Sequence, residues 1–521
     1  MAAPIVDKPT TAVIAGSPRP RRTGKLLDPI AVAVLAAGVS AAAANRPSLW
    51  FDEGATISAS ASRSLSQLWQ LLGRIDAVHG LYYLLMHGWF TIFPPTEFWS
   101  RLPSAIAVGA AAAGVVVFTR RFTPRGTAAC AGILFAILPR VTWAGIEARP
   151  YALEAATAVW LTVLFATAVR RNRRSLWLLY CLALMLAILL SVNLGLLVLV
   201  YAVMLRVLPR AGSAVIWGLA TSAAALALMT PFFVFAHQQV WQVGWISTLR
   251  RNLFLDVVHR QYFDHSVPFA ILSGLTIVAA IAVRRAGRPA PAGDLRPLLI
   301  SCVAWIVLPT VVILTYSAIG EPIYYPRYLI LTAPAMAIVL ALCIVTLVRK
   351  PRAIAGVLIL FAVAAFPNYL VKQRGPYAKE GWDYSQVADV VSAQAMPGDC
   401  LLVDNTVRWR PGPIRALLAT RPAAFAPLAD IERGAYGPDH GTLWNGHVAV
   451  WLVLPRLDKC STVWTISSRD KTLPDHQSGA SLPPGPLLGH APVYQFAGEL
   501  GFHIVERWQF HYSQVTKSTR G

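Results

Sequence analysis

Two adjacent carboxylates, Asp52 and Glu53, sit in the run Leu49-Trp50-Phe51-Asp52-Glu53-Gly54, directly after the first long apolar stretch. A carboxylate at the edge of an apolar region can take the proton of a hydroxyl while that hydroxyl attacks an electrophile. Acids at this spacing also suit the first turn of a helix, where they complement its dipole. Both readings stand on spacing alone. Further along lie His79, Glu147, Arg149 and Arg327, the last set between Tyr324-Tyr325 and Tyr328. A guanidinium offers a planar fork that fits a phosphate diester, so Arg149 and Arg327 are candidate anion grips; each also fits an anchor among lipid headgroups. Glu147 is a candidate ligand for a sugar hydroxyl or a metal, or simply the partner of Arg149. His79 can serve a phosphate or make a local hydrogen bond. Glu53, Glu147 and His79 could form a weak divalent-cation site, but no strong ligand spacing occurs and no required metal or other cofactor is expected.

These residues are spaced by apolar segments. The 521 residues are 56% hydrophobic and 14% charged, where a soluble protein would carry roughly a quarter charged. Apolar runs long enough, or nearly so, to cross a bilayer fall at about 29–44, 102–119, 126–139, 150–169, 175–190, 193–205, 213–235, 267–283, 297–316, 328–347 and 353–367, which gives about 11 spans. Residues 81–93 are too short and read as an interfacial segment, with Tyr82, Tyr83, Trp89 and Phe90 at headgroup level. Residues 65–72 read as a second interfacial helix, and a buried hairpin with 13 spans is the competing account. The net charge of +21 sits in short basic knots such as Arg170-Arg171-Asn172-Arg173-Arg174. With 11 spans and a cytoplasmic N-terminus, the inside loops and leader hold about 21 Lys and Arg in about 60 residues, against about 10 in nearly twice that length outside. That asymmetry is a topology signal, not a nucleic-acid footprint.

Residues 1–27 read as a disordered cytoplasmic tail, and the run at 29–44 as a retained anchor more readily than a cleaved signal peptide. The first outer loop is then 45–101, and the membrane module spans 28–370. From 371 to 521 the composition becomes that of a soluble domain. Residues 384–395 have helical periodicity, 397–399 a turn, and 400–403, 448–454 and 502–511 are strand candidates, so a small extracytoplasmic α/β domain is expected. Residues 482–492 read as a surface loop. Cys130, Cys181, Cys302 and Cys343 lie in apolar runs; Cys400 and Cys460, in the polar region, are candidates for a disulfide or for two separate thiols.

The ordered set Trp50-Phe51-Asp52-Glu53, His79-Gly80-Leu81-Tyr82-Tyr83-Leu84-Leu85, Arg101-Leu102-Pro103-Ser104-Ala105, Glu147-Ala148-Arg149-Pro150-Tyr151-Ala152-Leu153, Pro326-Arg327-Tyr328-Leu329 and 383–404 resembles the protein O-mannosyltransferase and aminoarabinose-transferase branch of the GT-C glycosyltransferases. The resemblance runs along the whole chain in order. It implies transfer of a sugar from a polyprenyl phosphate to an extracytoplasmic acceptor, usually with inversion. Asp52 matches the family's first-loop acid and would be the general base. Neighbours on a helix face different ways, so Glu53 would orient or ligate. His79 matches the histidine of a His-Pro-Pro-Leu-Tyr-Tyr pattern, although Gly80 alone stands where the two prolines would be. His79, Arg149 and Arg327 would meet the donor phosphate; Glu147, Tyr151 and Tyr82 would contact substrate.

The expected partners are a polyprenyl-phosphate sugar (mannose first, arabinose second), a glycolipid, lipoglycan or protein acceptor, and membrane lipid, with no nucleic acid. The location implied is a cytoplasmic membrane, in envelope biogenesis. Residues 237–265, with Trp241, Trp245, Arg250, Arg251, His259 and His265, read as an amphipathic lid or a plain interfacial helix. The alternative function is a transporter or flippase of lipid-linked sugars. Transporters place charges within spans, whereas these acids stand at span ends, Glu154 excepted.

Overall fold

The computed structural model describes residues 24–210, 212–246, 252–287, 295–405, 415–473, 478–480 and 483–521. Most of the leader expected to be a disordered tail therefore lies outside the described residues, as do Arg250 and Arg251 of the expected lid. The chain is mainly α-helical, with a helical bundle followed by a smaller domain built on one sheet.

Each of the eleven apolar runs forms a helix. Within the described residues, seven helices are long and apolar enough to cross a membrane, and four shorter apolar helices lie among them. Helices suit these runs because they satisfy every backbone group internally where no water is present. In chain order the elements used below are α1 (Gly24–Ala41), α2 (Phe51–Ser60), α3 (Leu65–Leu72), α4 (Gly80–Phe90), α5 (Glu97–Thr119), α6 (Arg125–Ile137), α7 (Pro139–Ala144) and α8 (Tyr151–Arg171). After them come α9 (Arg174–Leu190), α10 (Leu197–Val207), α11 (Ala214–Gln238), α12 (Val267–Arg285), α13 (Arg296–Ile319), α14 (Ala333–Leu347) and α15 (Pro351–Pro367).

At the centre, α5 packs along both α1 and α8. The close approach depends on small residues: a Cβ on Gly109 would lie 2.7 Å from the Ala33 carbonyl of α1, and one on Gly114 2.6 Å from Val159 of α8. In lipid, where apolar side chains gain nothing by leaving the solvent, such backbone-to-backbone packing is what holds helices together. By contrast α11, α12 and α15 are peripheral, with only 17–22% of their apolar windows buried in the protein.

The segment after α1 folds as α2, α3 and α4. Ser64 and Gln67 form a reciprocal capping box that starts α3, and Leu65 and Trp69 stand exposed on that helix. Of the span expected as a lid, the described residues form a short 3-10 turn at Val240–Val243 and a continuous helical stretch from Leu253 to Phe263 that carries a π turn at Asp256–Arg260.

The C-terminal domain contains α16 (Tyr384–Gln394), α17 (Arg415–Thr420) and a six-stranded mixed sheet. Its strands are β1 (Cys400–Val403), β2 (Ala429–Asp430), β3 (Thr462–Ser468), β4 (Ser478–Ala480), β5 (Phe502–Gln509) and β6 (Ser513–Arg520), in the order β2-β1-β3-β6-β5-β4. The first three are parallel and the remainder antiparallel. Cys400 and Cys460 are joined in a disulfide.

The strand expected at 448–454 is instead a 3-10 turn, Val450–Leu452, followed by a short helix, Leu454–Leu457. Val450 and Val453 are buried while Trp451 and Leu452 are exposed, a helical spacing. Pro455 sits where a helix start tolerates a missing N–H. One face of the sheet packs on α16 through Val387, Val391, Leu401, Trp464 and Ile466, and Trp50 from the start of α2 belongs to the same core. Trp50 and Phe51 thereby join the C-terminal domain to α2.

Candidate active site

The first turn of α2 carries Asp52 and Glu53, and the helix sends them to opposite environments. Glu53 points inward. Its Oε1 and Oε2 accept from Arg101 Nε at 2.8 Å and Nη2 at 2.6 Å, and Oε1 also accepts from the Ala148 amide at 3.0 Å. The other Arg101 donors reach the carbonyls of Ala44, Pro47 and Ser48. Both side chains are 0% exposed. A buried ion pair is tolerated when its remaining donors and acceptors are filled, and here they are. The pair ties the α1–α2 turn to α5 and to the loop before α8.

Glu147 is enclosed beside it. Its carboxylate contacts Lys379 Nζ and accepts from Trp50 Nε1 at 3.0 Å. Burial pushes its carboxyl up to about 7, with Lys379 pulling it back; burial also lowers Lys379, opposed by Glu147. Neither Glu53 nor Glu147 has a face turned to open space. His79 completes the trio named as a weak cation site, and it too is engaged elsewhere. Among the described residues no cluster of three or more His, Cys, Asp or Glu is placed to hold a metal.

Asp52 faces the other way. Its Oδ2 accepts from Arg327 Nη2 at 3.0 Å, and its side chain remains 19% exposed. Arg327 enters from the turn that precedes α14 and is surrounded by rings. The centroids of Tyr325, Trp50, Tyr328, Tyr151 and Trp245 lie 4.9, 5.4, 5.8, 5.9 and 5.9 Å from its Cζ. Such a cage holds a guanidinium by cation–π attraction while leaving its edge free for an anion. Arg327 Nε, buried, has no hydrogen-bond partner, and Glu380 Oε1 lies 3.9 Å from Nη1.

Arg149 stands on the far side of Asp52, with Nη1 3.5 Å from the Asp52 carbonyl. It donates to Tyr83 Oη at 3.0 Å and to His79 Nε2 at 2.9 Å, and Tyr83 in turn donates to Asp76 at 2.8 Å. Since a guanidinium only donates, His79 accepts at Nε2 and carries its proton on Nδ1. Burial, with Arg149 and Arg327 close by, holds its imidazole well below the ordinary value. His79 is therefore a neutral group held against Arg149 through Nε2, and its buried Nδ1 has no hydrogen-bond partner. Tyr82 is buried in the helical core, and Tyr151 contributes a ring to the Arg327 cage.

Arg327 is also the link to a cavity of about 420 Å³, whose walls include Glu380, Trp245, Tyr325, Arg140 and Lys372. Arg140 pairs with Asp264 at 2.9 Å, and Arg260 pairs with Asp256 at 2.8 Å. Of the residues named for a lid, Trp245 and His265 line this cavity, while Trp241 is largely exposed. Sequence reasoning missed Lys379, Glu380, Arg140 and Lys372. The visible signal was the pair Lys379-Glu380 ahead of Gly381, just beyond the last apolar run. Glu380 and Gly381 both take left-handed backbone, at φ of 53° and 90°, a conformation rare for a glutamate, so that Lys379 turns inward and Glu380 turns to the cavity.

No family model and no curated protein matches the chain. Among solved structures it is similar to ArnT from Cupriavidus metallidurans in the apo state, at 15% identity and a TM-score of 0.47, covering 95% of this chain and 98% of that one. It is also similar to the Archaeoglobus fulgidus oligosaccharyltransferase in complex with Zn and sulfate, at 13% identity and a TM-score of 0.40, covering 83% and 67%. Both of these structure neighbours are members of the GT-C superfamily.

Proposed function

We propose that this protein is a membrane glycosyltransferase of the GT-C type that moves a sugar from a polyprenyl phosphate to an acceptor hydroxyl. Asp52 is the general base, and the reaction inverts the anomeric centre. The observation that carries the reading is that one caged guanidinium, Arg327, both touches the Asp52 carboxylate and lines the cavity. In the reaction, the acceptor oxygen forms a bond to the anomeric carbon while its proton passes to an Asp52 oxygen. The bond from that carbon to the phosphate oxygen breaks, and its electron pair leaves with the polyprenyl phosphate. Phosphate leaves without a strong acid, so the protein needs a base, cations for the departing charge and an apolar path for the chain. Arg327, drawn to the phosphate, frees the carboxylate it holds at rest; Arg149, fixed by His79 and Tyr83, adds a second cation.

Mannose is the first choice of sugar and arabinose the second; the acceptor is a glycolipid, lipoglycan or protein. The basic loops favour a cytoplasmic N-terminus, with Asp52 and the C-terminal domain on the outer side of the cell membrane. The C-terminal domain covers α2 and offers a surface for the acceptor.

The test is transfer of labelled sugar from polyprenyl-phosphate mannose, and from its arabinose counterpart, by protein in lipid vesicles to envelope fractions of a strain lacking it. Asp52→Asn is expected to fold and bind donor yet lose about a thousandfold in turnover. Turnover like the wild type's would remove Asp52 from the role of base. Arg327→Ala should weaken donor binding about tenfold or more; unchanged affinity would reduce Arg327 to an anchor.

A further inference from the structure

A second opening lies on the lipid-facing side of the bundle. It is an apolar groove of about 520 Å³ between two of the peripheral helices, lined by Val267, Ile271 and Leu275 of α12 and by Leu360, Val363 and Ala364 of α15. The groove and the cavity of the candidate site are lined by neighbouring stretches of the same two chain segments. Asp264 and His265, which line the cavity, stand three and two residues before Val267. Lys372, also in the cavity wall, lies on the turn that continues α15, about 12 Å along the helical path from Ala364. Two hydrogen bonds hold the junction: Ser266 Oγ donates to the Ala364 carbonyl at 3.2 Å, and Asn368 Nδ2 donates to the Asp264 carbonyl at 2.7 Å.

The charges at the junction favour an anionic head. Arg140, Arg260 and Arg327 each have a carboxylate partner, in Asp264, Asp256 and Asp52. Lys372 forms no ion pair among the described residues and is exposed at the rim, next to exposed Leu370 and Val371. A long apolar groove that runs into a cationic rim matches an amphiphile with one anionic head and an extended hydrocarbon chain.

We propose that the α12–α15 groove is the seat of the donor's isoprenoid chain, and that Lys372 receives its phosphate at the entrance to the cavity. This rests on the polyprenyl-phosphate reading and adds to it the place of the chain and a residue, Lys372, outside the Asp52 cluster. The chain passes from lipid to an apolar protein surface, so little water is released. The groove therefore acts through dispersion and fit, and the charge at Lys372 adds to the grip of Arg327 on the phosphate. It also selects a branched isoprenoid over the straight acyl chains of bulk lipid.

The experiment is native mass spectrometry of the full-length protein in detergent, titrated with a long-chain polyprenyl phosphate, with geranyl phosphate and with phosphatidylglycerol. Leu275→Trp and Val363→Trp fill the groove from positions that are 62% exposed, so the fold is spared. Each should weaken the long-chain ligand about fivefold and change geranyl phosphate by less than about twofold, because the short chain does not reach these positions. Lys372→Ala should weaken both by about tenfold. The proposal is overturned if the wild type binds the long-chain ligand and both tryptophan variants bind it equally well. It is also overturned if Lys372→Ala has no effect, or if phosphatidylglycerol competes on equal terms. A wild type that binds neither prenyl phosphate would instead remove the function reading on which the groove depends.

Discussion

Two clusters of charge lie side by side around the first turn of α2, and they behave as opposites. In the closed one, Glu53 with Arg101 and Glu147 with Lys379 are sealed from solvent, with their carboxylates filled by protein partners. In the open one, Asp52 keeps part of its surface free, and its partner Arg327 borders a cavity with a buried guanidinium nitrogen that has no hydrogen-bond partner. The residue types are the same, and Asp52 and Glu53 are neighbours in the chain. What differs is whether the pair has spare capacity for a ligand. A charge whose every bond is made by the protein can hold elements together but has nothing left for a substrate; the cluster with unfilled capacity is where chemistry can occur.

The comparison is broken most directly by exchanging the two acids for their amides. Glu53→Gln leaves Arg101 charged and sealed, and should cost about 3–5 kcal/mol, read as loss of folded protein recovered in detergent. Asp52→Asn should change stability by less than about 1 kcal/mol, because Arg327 keeps its aromatic cage and the side chain at position 52 is partly exposed. Equal stabilities for the two variants would erase the distinction between closed and open clusters.

A smaller effect is expected at Glu432 in the C-terminal domain, a sealed carboxylate without the cation that Glu53 has. Its Oε2 accepts from the Val403 amide at 2.6 Å, Oε1 has no hydrogen-bond partner, and burial pushes its carboxyl up to about 8. The folded state thus holds a proton that the unfolded chain releases, so stability should fall as pH rises from 4.5 towards 8. His447, held down at about 4 by burial and Arg415, works in the opposite direction, and most of its effect is over by pH 6.5. Between pH 6.5 and 8 the Glu432 contribution should amount to about 2 kcal/mol. Melting of Glu432→Gln across that interval should be flatter than that of the wild type; parallel curves would mean Glu432 is charged throughout.

The smallest effect concerns the joint between the open cluster and the C-terminal domain. A Cβ added to Gly54 would lie 2.9 Å from Thr420 Cγ2 on α17. Gly54→Ala gains helix propensity but meets that methyl, and the net loss should stay under about 1 kcal/mol. Thr420→Ser removes the methyl and should turn the loss into a gain. A thermal-shift cycle of the two single variants and the double variant reads the coupling; strictly additive shifts would show that α2 and α17 are not in firm contact.

Much of the architecture is legible in the order of the residues. The eleven apolar runs become helices because a segment without water must satisfy its own backbone, and run length reports that requirement directly. The helix at 384–395 and strands at 400–403 and 502–511 follow from periodicity. β3 was missed although its run of Val463, Trp464 and Ile466 is a strand signal, whereas β6 is polar in sequence, and its Gln514, Thr516 and Ser518 are nonetheless buried within the sheet. The segment at 448–454 has enough apolar residues for a strand, but its burial repeats at helical spacing.

In the site, sequence alone determined that an acidic pair follows the first apolar run, that Arg149 and Arg327 stand near the ends of later ones, and that two cysteines occupy the polar region. These are facts of order along the chain, and the hydrophobic requirement of a bilayer turns order into approximate depth. Only the tertiary structure decided that Asp52 meets Arg327 at the edge of the cavity while Glu53 turns to the interior, that His79 meets Arg149, and that Lys379 and Glu380 join from beyond the last apolar run. The reason is that one helical turn offers both directions equally. The choice between them is made by Arg101 and Ala148 on one side and Arg327 on the other, and these reach α2 from parts of the chain that no local pattern connects.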